Sequence, residues 1–122
     1  MKIFFDGGLR PLPAGMETAV VIAGQAFVQR DLGAGSSMEA EWLALIDAAR
    51  RAVALGLGDA VLLGDAAAVI AQANGRVRCP AVHAVHLAAL DALLPATKRW
   101  RVRYIKRSQN LAGIALAAAH AR

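Results

Sequence analysis

Apolar positions along this chain recur first every second residue and then every third or fourth, and the switches between the two periods mark out its elements. Residues 2–6, KIFFD, read as a strand ending on Asp6. Residues 7–15, GGLRPLPAG, are rich in Gly and Pro and read as a loop. The run TAVVIAGQAFVQRD reads as two strands that meet near Ala23-Gly24 in a hairpin. After a second loop, LGAGSS, the period lengthens, and Met38 to about Leu55 reads as a helix. Its apolar face carries Trp42, Leu45, Ile46, Ala49 and Val53, while Asp47, Arg50 and Arg51 fall away from it. Gly56 and Gly58 close that helix.

DAVLLGD is a short apolar run bounded by aspartates, as a buried strand would be. AAAVIAQANG reads as a short helix with a Gly stop, and Pro80 opens a further one, AVHAVHLAALDALL. RWRVRYIKR alternates strictly, with Trp100, Val102 and Tyr104 on one face and Arg99, Arg101 and Arg103 on the other. Asn110 then caps an Ala-rich last helix. The order is β-β-β-α-β-α-α-β-α. An antiparallel meander followed by crossovers of the βαβ kind gives an α/β fold with a mixed sheet and helices packed on it. The 122 residues show no internal repeat and no linker, so a single domain over residues 1–122 is expected.

Composition narrows the class. Hydrophobic residues make up 57% of the chain, yet no apolar run reaches the length of about 18 residues that a membrane span needs. The start, MKIFFDGG, acquires an aspartate too early for a signal peptide. The lone Cys79 offers neither a disulfide framework nor a metal cluster. A soluble, cytoplasmic protein is expected, with no membrane partner. The formal charge is +5, and its distribution matters more than its size. No Asp or Glu follows Asp91, whereas Lys98, Arg99, Arg101, Arg103, Lys106, Arg107 and Arg122 all do. A basic C-terminal third suits a polyanion.

Acids stand at the ends of three elements. Asp6 ends the first strand, Asp65 ends the fourth, and Glu39 and Glu41 open the long helix. Sites in open α/β sheets collect outside the carboxyl ends of strands. Three carboxylates converging there make an all-oxygen environment of the kind Mg²⁺ prefers. Periodicity does not choose between Glu39 and Glu41, since both flank the apolar stripe.

The motifs that carry these acids resemble those of the ribonuclease H family. FFDGG is similar to the family's opening strand ending in Asp-Gly-(Gly/Ser). SSMEAEWLAL stands where the family has Thr-Asn-Asn-x-Ala-Glu-(Tyr/Leu/Trp)-x-Ala-Leu, with Ser36, Ser37 and Met38 in the Thr-Asn-Asn positions. VLLGDAAAVIAQANG resembles the strand ending in Asp-Ser and its following helix, with Ala66 in place of the Ser. The resemblance covers almost the whole chain in the right order. It implies a three-layer fold with a five-stranded mixed sheet, three strands antiparallel and two parallel, flanked by helices. It also selects Glu41 over Glu39. Asp6, Glu41 and Asp65 are then the expected catalytic residues and metal ligands, with Asp6 the bridge. The implied chemistry is endonucleolytic hydrolysis of the RNA strand of RNA–DNA hybrids with Mg²⁺ or Mn²⁺, two ions about 4 Å apart or a single one. Recognition of the 2′-hydroxyl would fall to the loop around Gly7, Gly8, Ser36 and Ser37, and Arg107 would meet the nucleic acid.

The match breaks at one place. The family's last helix begins with a run like Arg-x-x-Asn-x-x-Ala-Asp-x-Leu-Ala, and here it reads RSQNLAGIALA. Arg107, Asn110, Leu116 and Ala117 align, while Gly113 takes the Ala position and Ile114 the Asp. An apolar side chain cannot coordinate a cation or orient water. A catalytically degenerate module that keeps nucleic-acid binding is therefore the alternative reading. A third is an interaction domain that self-associates through Ala/Val faces. A 3′-5′ exonuclease of the same superfamily would begin with Asp-x-Glu, which FFDGG lacks.

The remaining candidates read more plainly. His83 and His86 are spaced as some zinc pairs are, but no third ligand stands beside them in the sequence. Trp100 and Tyr104 read as core residues with the arginines outward, rather than as a base-stacking platform. Gly7 and Gly8 form no dinucleotide fingerprint. His120, near the end of the last helix, reads as a surface residue.

Overall fold

The computed structural model describes residues 1–94 and 99–120, so Lys98 and Arg122 of the basic tail lie outside the described residues. Strand β1 (Lys2–Leu9) pairs antiparallel with β2 (Met16–Ile22), which pairs antiparallel with β3 (Gln25–Gln29). Helix α1 (Ser37–Ala54) crosses to β4 (Asp59–Gly64), which runs parallel to β1. Helices α2 (Ala67–Ala73) and α3 (Ala84–Leu93) lead to β5 (Arg99–Tyr104), parallel to β4. Helix α4 (Leu111–Ala118) ends the described fold. The five strands lie in the order β3-β2-β1-β4-β5. The expected mixed sheet is therefore present, three strands antiparallel and two parallel.

Alternation sorts the side chains into two layers. Ile3, Phe5, Val20, Ile22 and Leu62 pack under α1 around the fully buried Trp42. On the other face Ala19 and Val21 pack against Ala112 and Leu116 of α4, with Phe4 beside them. Strand β2 is buried over its whole length because helices cover both of its faces. Two buried polar bonds hold the layers in register. Trp42 Nε1 donates to Gln72 Oε1 at 3.2 Å, and Asn110 Nδ2 donates to the Phe5 carbonyl at 3.0 Å. Asn110 Oδ1 also accepts from the Ala112 amide at 3.1 Å, the cap expected from the sequence. The hairpin turns at Ala23-Gly24, both with positive φ, as a tight two-residue hairpin requires.

Several expectations need correction. Strand β1 does not stop at Asp6 but runs on to Leu9, because β2 begins at Met16 and pairs with it residue by residue. Its pairing with β4 ends at Phe4↔Leu63. The strand thus leaves one neighbour while keeping the other, and a notch opens at Asp6. On α1, Val53 is 44% exposed while Ala44, Ala48 and Ala52 are fully buried, so the helix turns its alanine edge inward. On β5, Val102 is buried and Trp100 is half-buried, with its Nε1 on the Leu57 carbonyl at 3.1 Å, but Tyr104 is 55% exposed. The stretch after Pro80 begins with a 3₁₀ turn, Ala81–His83, before α3.

Candidate active site

Three elements bring one carboxylate each to the notch. Asp6 lies on β1 two residues past its last pairing with β4, Asp65 follows β4, and Glu41 sits in the second turn of α1. One oxygen from each lies within 4.8 Å of the others. The helix is docked closely here. A Cβ on Gly7 would stand 2.3 Å from the Ala40 carbonyl carbon, so only glycine lets α1 approach β1 to this distance. That approach lets the Gly7 amide donate to Glu41 Oε1. Gly7 is thus a packing and hydrogen-bonding element of the carboxylate cluster. At the start of the same helix, Ser36 Oγ accepts from the Glu39 amide at 3.0 Å.

The electrostatics follow from this crowding. Burial raises the Asp6 carboxyl from the ordinary 3.8 to about 6, with the Asp65 charge adding to the rise. Its hydrogen bond with Glu41 and the Arg107 guanidinium pull the other way. Burial likewise pushes Glu41 from 4.5 up to about 8, the Asp6 charge adding to it and the Gly7 amide opposing it. Buried carboxylates this close together, with one arginine nearby, are under-neutralised. A hard divalent cation supplies the missing positive charge and accepts an all-oxygen donor set, so these residues fit Mg²⁺ or Mn²⁺. Arg107 Nε lies 3.6 Å from Asp65 Oδ2, while its side chain is 93% exposed.

The three carboxylates line a cleft of about 500 Å³ together with Gly8, Ser37, Arg107 and Gly113. Other residues settle elsewhere. Glu39 turns from the cluster to His86 Nε2 at 3.0 Å, and the His83 ring stacks on His86 with centroids 6.1 Å apart. Among the described residues, Asp6, Glu41 and Asp65 are the group of such side chains close enough to share an ion, which leaves the histidine pair outside it. On α4, Gly113 is the residue that faces Asp6, since a Cβ there would lie 3.3 Å from Asp6 Oδ2. Ile114, one residue along, is 55% exposed.

Sequence reasoning missed a fourth acid in the cleft. Glu17 on β2, 4% exposed, lines it beside Arg10. Nε2 of His120, a residue expected at the surface, lies 2.8 and 2.9 Å from the two Glu17 oxygens. The available signal was a lone charge among the apolar residues of METAVVI, all of which are buried.

Comparisons with known proteins bear on this geometry. A family model described as reverse transcriptase-like, an RNase H-like family, matches residues 18–120. The chain belongs to this family. The matched range holds Glu41 and Asp65, and the strand bearing Asp6 precedes it. A comparison with curated proteins yields no match. Among solved structures, the chain is similar to the RNase H1 of the halophilic archaeon Halobacterium salinarum, with 24% identity over 94% of this chain and 92% of that one and a TM-score of 0.78. It is also similar to the N-terminal RNase H domain of a Mycobacterium tuberculosis protein, with 25% identity, 98% and 97% coverage and a TM-score of 0.75. A third, LC11-RNase H1 from a compost metagenome, was solved in complex with an RNA/DNA hybrid. That complex shares 18% identity over 89% of this chain and 87% of the other, with a TM-score of 0.68. These likenesses carry the ribonuclease H-like fold. No helix among the described residues is long and apolar enough to cross a membrane.

Proposed function

We propose that this protein is a divalent-metal-dependent endonuclease that hydrolyses the RNA strand of RNA–DNA hybrids. The observation that carries the reading is the convergence of Asp6, Glu41 and Asp65 at the notch where β1 parts from β4. Two bound divalent cations would activate water and stabilise the leaving oxygen across the scissile phosphate. The chain's own residues prepare that chemistry. Asp6, with an oxygen within 4.8 Å of one from Glu41 and one from Asp65, would hold the cations together with them. Gly7 fixes Glu41 through its amide, and Arg107 stands beside Asp65 where a phosphate would arrive. Gly8 and Ser37, on the cleft wall, lie where a sugar-phosphate backbone comes close, with Ser36 at the start of the same helix. The LC11 enzyme's complex with a hybrid supports nucleic acid as the partner of this cleft.

A second reading is favoured by one observation: α4 presents no acid to the site, and Ile114 stands where the family's fourth carboxylate aligns. It makes the protein a binding module that has lost turnover. Cleavage of a labelled hybrid in Mg²⁺ and in Mn²⁺, against an Asp6→Asn control, decides between them. Cleavage abolished in the control supports the nuclease. Tight, salt-sensitive binding with no cleavage in either metal supports the module.

A further inference from the structure

We propose that Arg10 binds a backbone phosphate at the wall of the cleft away from Arg107, and that Glu17, held by His120, is the positioning residue that aims it. The inference deepens the nucleic-acid reading of the cleft and rests on it. Glu17 stands on β2 directly opposite Gly8, so alternation places it on the same face of the sheet as Asp6. Its side chain is 5% exposed and yet lines the cleft. A carboxylate facing a channel meant for phosphates would repel them unless cations outnumber it, and here they do. Arg10 Nε donates to Glu17 Oε2 at 3.4 Å, and His120 Nε2 reaches both oxygens.

The far end of this chain of contacts assigns the protons. Arg30 Nη2 lies 3.3 Å from His120 Nδ1. A guanidinium only donates, so Nδ1 accepts, and the ring's hydrogen sits on Nε2, from which it is donated to Glu17. Two arginines against one carboxylate leave the cluster net positive.

Arg10 is therefore anchored through its Nε alone. Among the described residues its two terminal nitrogens make no hydrogen bond, and the side chain is 43% exposed. An arginine tethered in this way presents the edge that grips phosphate oxygens in pairs. Arg107, beside Asp65, makes the matching contact at the other side. A strand laid across the three carboxylates would meet a guanidinium on each side of the bond to be cut. His120 follows the last turn of α4, so the position of Arg10 depends on that helix being docked.

The test is binding of an RNA–DNA hybrid in Ca²⁺, measured against salt, with single neutral methylphosphonate linkages scanned along each strand. Arg10→Ala should weaken binding about tenfold and flatten the slope of log K against log salt by about 0.7–0.9, the share of one phosphate. One methylphosphonate position should weaken the wild type and leave Arg10→Ala unaffected. The Arg10→Ala penalty should shrink in a Glu17→Gln background, with thermal melting of both variants recorded. Equal slopes and equal scan profiles in wild type and Arg10→Ala overturn the proposal while leaving the cleft a nucleic-acid site. An unchanged Arg10→Ala penalty in the Glu17→Gln background, with a lowered melting temperature, makes Glu17 a latch for α4 and overturns its positioning role. A wild type that binds no hybrid at any salt overturns the reading of the cleft and this inference with it.

Discussion

The carboxylate cluster should make the metal-free protein less stable as the pH rises, and Glu41→Gln should remove most of that loss. In the folded chain burial and the Asp6 charge hold the Glu41 proton up to about pH 8, whereas the unfolded chain releases it near 4.5. Between those values the native state binds a proton that the unfolded state has given up. Stability from this group is fully present below about pH 4.5 and is lost as the pH rises through about 8. Asp6, raised from 3.8 to about 6, contributes with the same sign. The span from 4.5 to about 8, at about 1.36 kcal/mol per pH unit, gives a ceiling of about 5 kcal/mol for Glu41. Solvent reaches the rim of the cleft, so we expect about 2–3 kcal/mol. For a domain of this size that is a fall of about 10 °C in melting temperature. The assay is denaturation in EDTA at pH 5 and pH 9, for wild type and for Glu41→Gln. Glutamine keeps the shape, carries no proton to lose and relieves Asp6 of its neighbour. The wild-type gap between the two pH values should therefore exceed the variant's by about 2 kcal/mol or more. Saturating Mg²⁺ at pH 9 should close the wild-type gap, because a cation binds the deprotonated acids. Equal gaps in the two proteins would refute the reasoning.

Other consequences follow from single contacts. Gly7→Ala places a methyl 2.3 Å from the Ala40 carbonyl and must lift α1 from β1. A loss of about 3 kcal/mol in denaturant unfolding is expected, together with weaker Mn²⁺ binding as Glu41 moves. Asn110→Ala removes both the buried bond to the Phe5 carbonyl and the cap on Ala112. It should cost about 2–3 kcal/mol by the same measurement, and a cost under half of that would mean the cap alone matters. Ile114→Asp adds an acid one residue from Gly113, the α4 residue that faces Asp6. It should tighten Mg²⁺ binding in calorimetric titration and speed any cleavage, while Ile114→Asn should do neither. No change with Asp would show that position 114 does not reach the cluster.

The elements that could be read from the sequence are those governed by neighbours a few residues apart. The Ala23-Gly24 turn, the helix that follows Ser36 and the Asn110 cap all obey short-range rules and stand where those rules put them. The three acids could also be found, though the choice of Glu41 over Glu39 came from family resemblance and not from periodicity. The structure separates the two by distance, with Glu41 at the cluster and Glu39 on His86.

What the tertiary structure decided has a common cause, which is that burial and pairing depend on partners far along the chain. The apolar face of α1 could be drawn through Val53 or through its alanines, and only the shape of the sheet beneath it buries Ala52 and exposes Val53. Tyr104 shares the period of Val102, which packs in the layer under α1, yet lies exposed at the end of the edge strand β5. The reach of β1 to Leu9 was set by where β2 begins to pair with it. His120 meets Glu17 across 103 residues of sequence, a distance over which no periodic pattern carries information. The sequence by itself determined the order of elements and the acids worth watching. Only the packed fold decided which charges share a cleft, because a carboxylate's neighbours are chosen by the sheet's register and the docking of its helices.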